Sequence, residues 1–316
     1  MVETRDFIVP QEAGGERLDR FLARQMPDWS RSQIQRLVRD GLVWVGAATA
    51  KKSGEVVEAG TDIHVAAQHE ELRAAPEALP ISVVYEDSDI LVVDKAAGMV
   101  VHAGSGIKSG TLVNALLAHS GGLSNLGGPL RAGIVHRLDK MTSGLVVVAK
   151  NDIAHRHLSE QFKSRKVHKT YLALVHGRVA ADAGQIEKSV GRDPQRRTQM
   201  KVGGIAPREA LTGYRVIRRF RHFTLVEAMP QTGRTHQIRV HLASIRHPVV
   251  GDTTYGAPAQ LRFEDHTEPT LPRTFLHAVR LAFMLPSTGR PVEFDSPLPA
   301  ELTAFVAHVE DLDRGR

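Results

Sequence analysis

The sequence predicts an α+β fold, in which a small N-terminal α/β module precedes a larger domain built on a mixed, largely antiparallel sheet. Runs typical of strands outnumber runs typical of helices in the 316 residues, and the two kinds do not alternate regularly, as a doubly wound parallel sheet would require. An aperiodic stretch over residues 67–80 separates the two parts. We therefore expect one domain over residues 13–75 and a second over residues 76–310.

The predicted N-terminal module begins with two amphipathic helices. Leu18, Phe21 and Leu22 follow the i, i+3, i+4 spacing of a single apolar helix stripe. Ser30 is a typical N-cap for a second helix, and Gly41 is a typical stop. Two short β-rich runs follow, so the module is predicted to combine a helix pair with a small sheet.

The larger domain shows the helical and strand patterns in irregular order. Strands are predicted at 81–85, 90–94, 144–150, 170–176, 211–217 and 223–228, and helices at 111–119, 152–162 and 236–244. The polar run Glu-Asp-Ser-Asp between the first two strands is typical of a hairpin, which favours antiparallel pairing.

The composition excludes several kinds of chemistry. The chain has no cysteine, which excludes disulfide bridges, thiol nucleophiles, iron–sulfur clusters and cysteine zinc sites. No apolar run reaches the length of about 18 residues that a membrane span needs, and the first residues include Glu3, Arg5 and Asp6. We therefore expect a soluble cytoplasmic protein without a signal peptide.

Positive charge is concentrated in one part of the chain. Residues 131–221 contain 20 Lys and Arg against 7 Asp and Glu, whereas the remaining residues contain 21 against 28. A basic stretch on an otherwise acidic chain is typical of proteins that bind a polyanion such as a nucleic acid. A solvated basic face without a partner is the alternative.

The most distinctive motif is the run His136-Arg137-Leu138-Asp139-Lys140, which lies between two apolar flanks. Cations on both sides favour the ionised form of a carboxylate. An ionised aspartate at a strand edge is the group that nucleophilic attack on a sugar carbon requires. A turn with ordinary salt bridges is the alternative.

Two further clusters carry candidate functional groups. In the run 231–241, Arg234, Arg239, His236 and His241 are expected to form a basic surface at the start of a helix, and an arginine there could pair with Asp139 or hold a phosphate. His236 and His241 are five residues apart, which does not place them on one helical face, so we expect no metal site.

Tyr171 stands near the head of a strand-like run, beside His168 and Lys169. It is therefore a candidate base or stacking platform, although a tyrosine packed at the edge of the core would show the same pattern.

The order of these motifs resembles the RluA-type pseudouridine synthases. The run His-Arg-Leu-Asp-Lys-x-Thr-Ser-Gly at 136–144 is followed by Lys-Thr-Tyr-Leu-Ala at 169–173 and Thr-Gly-Arg-Thr-His-Gln-Ile-Arg-Val-His at 232–241. The helical runs that begin at Arg17 and Ser30 resemble an RNA-binding module first known from a small-subunit ribosomal protein. The resemblance covers nearly the whole chain.

The resemblance implies isomerisation of uridine to pseudouridine, in which the N1–C1′ bond breaks and C5 joins C1′ with no cofactor and no metal. It makes Asp139 the catalytic aspartate, which either attacks C1′ or removes the 2′ proton. Tyr171 would stack on the flipped base and take the C5 proton, and Arg234 would pair with Asp139. Arg137 would fill the space that the flipped nucleotide leaves in the RNA.

The resemblance also implies contacts with substrate and RNA. Further substrate-binding residues would be His136, Ile238 and Leu276. RNA-binding residues would be Arg31, Gln35, Arg36 and Arg39 in the N-terminal module, and Arg192, Arg196, Arg197 and Lys201 in a basic loop.

The implied partner is structured 23S rRNA, free or in an assembling large subunit, modified at the stem-loop of helix 69 by a monomeric enzyme. Two alternatives remain at this point. The module and the basic stretch would also suit a non-catalytic ribosome-assembly protein that binds rRNA. An N-glycosylase would hydrolyse the same bond, but it needs a water site and a general acid that the sequence does not identify.

Overall fold

A computed structural model describes residues 2–68, 73–104, 107–196, 198–262 and 267–314. The chain divides into two compact units, Met1–Leu72 and Arg73–Arg316. Within the described residues, no helix is both long and apolar enough to cross a membrane.

The N-terminal unit packs two helices against a four-stranded antiparallel sheet of order β1-β4-β2-β3. Its elements are β1 (Val2–Ile8), α1 (Leu18–Gln25), α2 (Arg31–Arg39), β2 (Val43–Val45), β3 (Ala48–Thr49) and β4 (Asp62–Gln68). Ser30 caps α2 as predicted, because its hydroxyl accepts from the backbone N–H of Gln33. The unit starts before the predicted residue 13, since β1 pairs with β4 along its whole length.

The larger unit contains fourteen strands and four helices. They are β5 (Ser82–Glu86), β6 (Ile90–Lys95), α3 (Leu112–Ser120), β7 (Ser143–Ala149), α4 (Asp152–Lys163), β8 (His168–His176), β9 (Ala183–Glu187), β10 (Val190–Arg192), β11 (Met200–Val202), β12 (Ile205–Arg208), β13 (Leu211–Arg219), β14 (Phe223–Pro230), α5 (Gln237–Ser244), β15 (Gln260–Arg262), β16 (Thr267–Pro269), β17 (Leu276–Met284), β18 (Pro291–Asp295) and α6 (Ala300–Arg314). These counts refer to the ranges that the structure describes. Every predicted strand and helix of this domain has a counterpart.

One mixed sheet organises the larger unit, with strand order β5-β6-β7-β17-β8-β14-β13-β9 and β18 paired to β17. All of its described strand pairs are antiparallel except β7 with β17. The predicted α+β class with a largely antiparallel sheet is therefore confirmed. The core contains buried faces of both halves of this sheet, including Val146, Leu174 and Val226.

A glycine permits the one parallel contact in this sheet. Gly144 has a φ of +113°, and a Cβ atom there would lie 2.4 Å from the backbone oxygen of Ala278. Only a residue without a side chain fits between these backbones. The loop that carries Asp139 runs directly into this strand, so Gly144 sets where that loop meets the rest of the sheet.

Part of the predicted linker is fixed to the larger unit. Ala74 is 8% exposed and donates its backbone N–H to Pro129 O at 3.1 Å. The side-chain amide of Asn114 donates to Ala75 O at 2.7 Å. The aperiodic sequence therefore marks an extended segment bound to the surface, at least from residue 73 onwards.

Candidate active site

The three sequence clusters meet in one cavity of about 630 Å³ in the larger unit. It is lined by segments from the Asp139 loop, the start of β8, the loop before α5, and the first residue of β17. The predicted residues among its lining are His136, Arg137, Asp139, Tyr171, Arg234, Ile238 and Leu276. Residues that lie about one hundred positions apart in the chain thus line one space.

A buried lysine fixes the loop that carries Asp139. Lys95 is 1% exposed, and its ammonium group donates to the backbone oxygens of Ala96, Met99 and Lys140 at 2.8, 2.9 and 3.3 Å. The last of these belongs to the residue after Asp139. Burial, reinforced by the charge of Arg273, lowers the pKa of Lys95 to about 7.

The carboxylate of Asp139 is held by an arginine of α5. Arg239 Nη1 donates to Asp139 Oδ2 at 3.1 Å, while Nε and Nη2 donate to the two oxygens of Asp252 at 2.7 and 2.8 Å. The expected pairing of Arg234 with Asp139 is wrong. Arg234 lies in the turn before the helix, where its Nε donates to Glu209 O at 3.1 Å.

Polar contacts with β13 fix the orientation of α5. The side chain of Gln237 donates to Leu211 O and to the hydroxyl of Thr212, at 3.0 and 2.9 Å. His241 is buried and bonds the same hydroxyl and Lys188 O, each at 2.9 Å. It therefore supports the helix from inside and does not belong to a basic surface.

Arg239 is almost buried, so its charge depends on its partners. Burial disfavours the guanidinium cation, but Asp252 and Asp139 outweigh that cost and raise the pKa of Arg239. The guanidinium also lies 4.9 Å from the centre of the Tyr255 ring. Arg239 thus presents a permanent, fixed positive charge to one oxygen of Asp139.

Tyr171 supplies an aromatic wall of the cavity. On β8 it pairs with Ala228 of β14 and Ala278 of β17, and the residue is 8% exposed. Burial raises the pKa of Tyr171, and the negative charge of Asp139 acts in the same direction. The side chain is therefore a neutral phenol at physiological pH.

Sequence and structure comparisons identify the family that carries this arrangement. The chain matches the RNA pseudouridylate synthase family over residues 89–244 and the S4 domain family over residues 16–63. It is 42% identical over 313 residues to ribosomal large subunit pseudouridine synthase D of Nitrosomonas europaea, covering 98% of this chain and 89% of that protein.

Two further comparisons agree. The protein of the same name from Pasteurella multocida is 39% identical, with 95% of each chain covered. The solved structure of human RNA pseudouridylate synthase domain containing 1 has a TM-score of 0.55 at 29% identity, covering 74% of this chain and 96% of that one. The chain belongs to the RNA pseudouridine synthase family. Both resemblances drawn from the sequence are thereby confirmed.

Within the synthase, His136 supports the wall of the cavity. Its ring stacks on Phe162 with centroids 4.6 Å apart, and its Nε2 accepts the backbone N–H of Val147 at 3.0 Å. Burial, together with the charge of Lys169, lowers the pKa of His136 to about 3, so the ring is neutral. The nitrogen facing β7 is committed to that strand, while the residue lines the cavity, so the expected substrate-binding role of His136 stays a prediction.

The other predicted substrate residues line the same cavity. Ile238 and Leu276 are 7% and 3% exposed and line the cavity as apolar wall. Arg137 is exposed and lines the same cavity. Arg192, Arg196 and Lys201 are exposed on and beside the small sheet β11-β10-β12, whereas Arg197 lies outside the described residues.

In the N-terminal unit of the synthase, two predicted RNA-binding residues have an internal partner. Asp19, which is 0% exposed, accepts from Arg31 Nη2 and from the amide of Gln35, each at 2.8 Å. Arg17 binds the same carboxylate through two nitrogens, both at 3.1 Å. Gln35 therefore serves mainly to hold this carboxylate, whereas Arg31 is also exposed, as are Arg36 and Arg39.

The sequence analysis assigned no role of its own to Lys95, Arg239, Asp252 or Tyr255, which hold Asp139 and its neighbours in place. A usable signal was present for Arg239, because it belongs to the same motif as Arg234 and lies inside the predicted helix. Among the residues that the structure describes, no group of three His, Asp or Glu side chains could hold a metal ion. The expected independence from metals and cofactors stays a prediction.

Proposed function

We propose that this synthase isomerises uridines of structured 23S rRNA, at the stem-loop of helix 69, to pseudouridine. The observation that carries the proposal is the single cavity in which one carboxylate, an arginine bound to it and a neutral tyrosine are brought together. The reaction breaks the N1–C1′ bond, forms a C5–C1′ bond, and moves one proton from C5 to N1. It consumes nothing, so the proposal needs no redox group.

Asp139 acts first in the proposed reaction. It either attacks C1′ or removes the 2′ proton, and the uracil anion that leaves spreads its charge over the ring and its carbonyl oxygens. Because that anion is a good leaving group, one carboxylate is enough where a glycosidase normally uses two. Arg239 holds one oxygen of the carboxylate, which leaves the other for the substrate.

Tyr171 acts last in the proposed reaction. As a neutral phenol it stacks on the everted base. Its oxygen accepts the C5 proton while its own hydroxyl proton moves to another acceptor. We propose the Asp139 carboxylate, which lines the same cavity, as the acceptor of that proton. The proton then passes to N1 of the product, which regenerates the carboxylate. Ile238 and Leu276 would pack on the uracil, and Arg137 would occupy the place of the everted nucleotide in the RNA, which offsets part of the cost of base flipping.

The proposed target rests on the relatives and on charge. Two of the relatives described above are named as large-subunit synthases. The basic stretch over residues 131–221 suits a phosphate backbone, and its RNA binding should weaken steeply with salt. The S4 domain would add contacts through exposed arginines of α2. A cytoplasmic, monomeric enzyme remains our prediction.

Pseudouridine mapping of rRNA tests this proposal. In cells that lack the protein, we expect one or more large-subunit uridines to stay unmodified. The wild-type gene should restore the modification, and a gene encoding Asp139→Asn should not. An unchanged map would contradict the proposed target, and rescue of a ribosome-assembly defect by Asp139→Asn would favour the non-catalytic alternative.

A further inference from the structure

His236 is the N-cap residue of α5 and has an unusual backbone conformation. Its φ is 55° and its ψ is 18°, which is the left-handed region that residues other than glycine rarely adopt. Such strain persists where the surroundings determine the conformation, and it is frequent at functional sites. The conformation brings the imidazole into the cavity that Asp139 also lines.

The hydrogen bonds around Tyr255 favour the tautomer of this imidazole that carries its proton on Nε2. The backbone N–H of Met200 donates to Tyr255 Oη at 2.9 Å, and Tyr255 Oη lies 2.6 Å from His236 Nδ1. Since Oη already accepts from Met200, its own hydrogen is available for His236 Nδ1. Burial lowers the pKa of His236, which favours the neutral ring. The single ring proton is then on Nε2.

The Nε2–H group faces the open oxygen of the catalytic carboxylate. His236 Nε2 lies 4.0 Å from Asp139 Oδ1, whereas Arg239 binds the other oxygen, Oδ2. A distance of 4.0 Å is too long for a direct hydrogen bond. An oxygen atom about 2.8 Å from both groups would fit between them.

An oxygen that can both accept and donate a hydrogen bond, such as a substrate hydroxyl or a water molecule that holds its place before substrate binds, satisfies both neighbours. It must accept from Nε2–H and donate to the carboxylate, so a hydroxyl fits and a carbonyl oxygen, which cannot donate, does not. In a uridine whose C1′ or 2′ hydrogen faces Asp139, the nearest hydroxyl is the one on C2′, because C2′ is bonded to C1′.

We propose that His236 is a catalytic residue that binds the ribose 2′-hydroxyl of the target uridine, donating from Nε2 while the hydroxyl donates to Asp139. Tyr255 is a positioning residue, because it acts through the imidazole. The inference rests on the proposed function and extends it. It assigns to the site a preference for ribose over deoxyribose at the target.

A double-mutant cycle on binding tests this inference without interference from chemistry. The two RNAs are copies of the mapped stem-loop with pseudouridine already at the target, one with a 2′-hydroxyl and one with a 2′-hydrogen. The two proteins are the full-length wild type and His236→Asn. Asparagine tolerates the left-handed conformation and places an amide near Nδ1, but it does not reach as far as Nε2.

For the wild type we expect loss of the hydroxyl to weaken binding about tenfold, and for His236→Asn less than about threefold. Equal penalties for the two proteins would overturn the inference. If His236→Asn melts below the wild type and cannot be used, Tyr255→Phe replaces it in the same cycle, with a reduced penalty expected and an unchanged penalty contrary to the inference.

A kinetic comparison separates this inference from the proposed function. Wild-type conversion of the uridine stem-loop, followed in a single turnover, tests the proposed function alone. His236→Gln places an amide near the Nε2 position, so we expect it to convert the RNA faster than His236→Asn. Failure of the wild type to convert any rRNA uridine would refute the proposed function, whereas equal binding penalties in an active enzyme would refute only the role of His236.

Discussion

Two aspartates, one in each unit of the molecule, are both held by arginine and yet are suited to different tasks. Asp19 in the N-terminal unit is fully buried, and its two oxygens together accept from Arg17, Arg31 and Gln35. Asp139 has 20% of its side chain exposed and one arginine partner at 3.1 Å. Its second oxygen lies 4.0 Å from His236 Nε2, and both residues line the cavity.

The comparison shows how the surroundings of a carboxylate distinguish a structural group from a reactive one. A carboxylate whose acceptor sites are filled by the protein has none left for a substrate. Hydrogen bonds from Arg17, despite the cost of burial, hold the pKa of Asp19 far below its usual range. Asp139 is instead fixed on one side and open on the other, as preorganised catalysis requires.

The largest expected effect comes from removing the charge of Asp139. We expect Asp139→Asn to lower single-turnover conversion of rRNA at least about a thousandfold, because no other described carboxylate takes its place in the cavity. RNA affinity, measured by filter binding, should stay within a few-fold of the wild type. Asp19→Asn is the matched control, and it should convert RNA that is bound at saturating concentration at nearly the wild-type rate.

The next effect tests which arginine holds Asp139. We expect Arg239→Lys to lower the rate about a hundredfold, since a single ammonium group cannot bind both oxygens of Asp252 and reach Asp139 as well. Arg234→Lys should lose much less, because Arg234 contacts a backbone oxygen instead. Single-turnover rates at saturating enzyme distinguish the two, and a greater loss in Arg234→Lys would restore the pairing that the sequence suggested.

A smaller effect concerns Asp19, whose oxygens already accept hydrogen bonds from the protein. We expect Asp19→Asn to lower the free energy of unfolding of the N-terminal unit by about 2 kcal/mol, because Arg17 and Arg31 lose a charged acceptor. Asp40→Asn is the control, since Asp40 is exposed and meets Arg36 only at 3.4 Å. Chemical denaturation followed by Trp29 and Trp44, which both lie in this unit, measures the change. Equal destabilisation by the two variants would contradict the contrast drawn above.

The last effect concerns the lysine that holds the Asp139 loop, and over one pH unit it is smaller than the loss expected for Asp19→Asn. The pKa of Lys95 is lowered to about 7, so above that pH the unfolded chain binds a proton that the folded chain does not. The free energy of unfolding should therefore rise with pH between about 7 and 10, by roughly 1.4 kcal/mol per pH unit from this group. Below about pH 7 this contribution should be constant.

Thermal unfolding across this pH range provides the measurement. We expect Lys95→Met to flatten the rise, and Lys163→Met, at a position whose side chain is 82% exposed, to leave it unchanged. A slope that is the same in all three proteins would show that Lys95 keeps an ordinary pKa.

The sequence predicted the parts of the fold that have local causes. The hairpin of β5 and β6 follows from alternating β-rich runs around a polar turn, and α2 follows from its Ser30 cap. Strand β1 was missed because Glu3, Arg5 and Asp6 interrupt its apolar pattern, and its position depends on pairing with β4, about sixty residues away.

The candidate site was predictable as a set of motifs and not as a set of contacts. Asp139 and Tyr171 were identified correctly as residues of one cavity. The choice between Arg234 and Arg239 depends on where α5 begins and how Gln237 and His241 fix it to β13. Likewise, the role of Lys95 depends on three backbone oxygens, which leave no trace in the side-chain pattern.

The glycine between β7 and β17 has one more consequence. Asp139 lies in the loop that leads into β7, on one side of this narrow junction, and Tyr171 lies on β8, on the other side. Slippage of one residue there would shift the acid relative to the phenol by about 3.3 Å, more than a reacting pair of atoms can tolerate. A methyl group at position 144 would therefore impair turnover through misalignment of the two halves, while every side chain that touches the substrate remained intact.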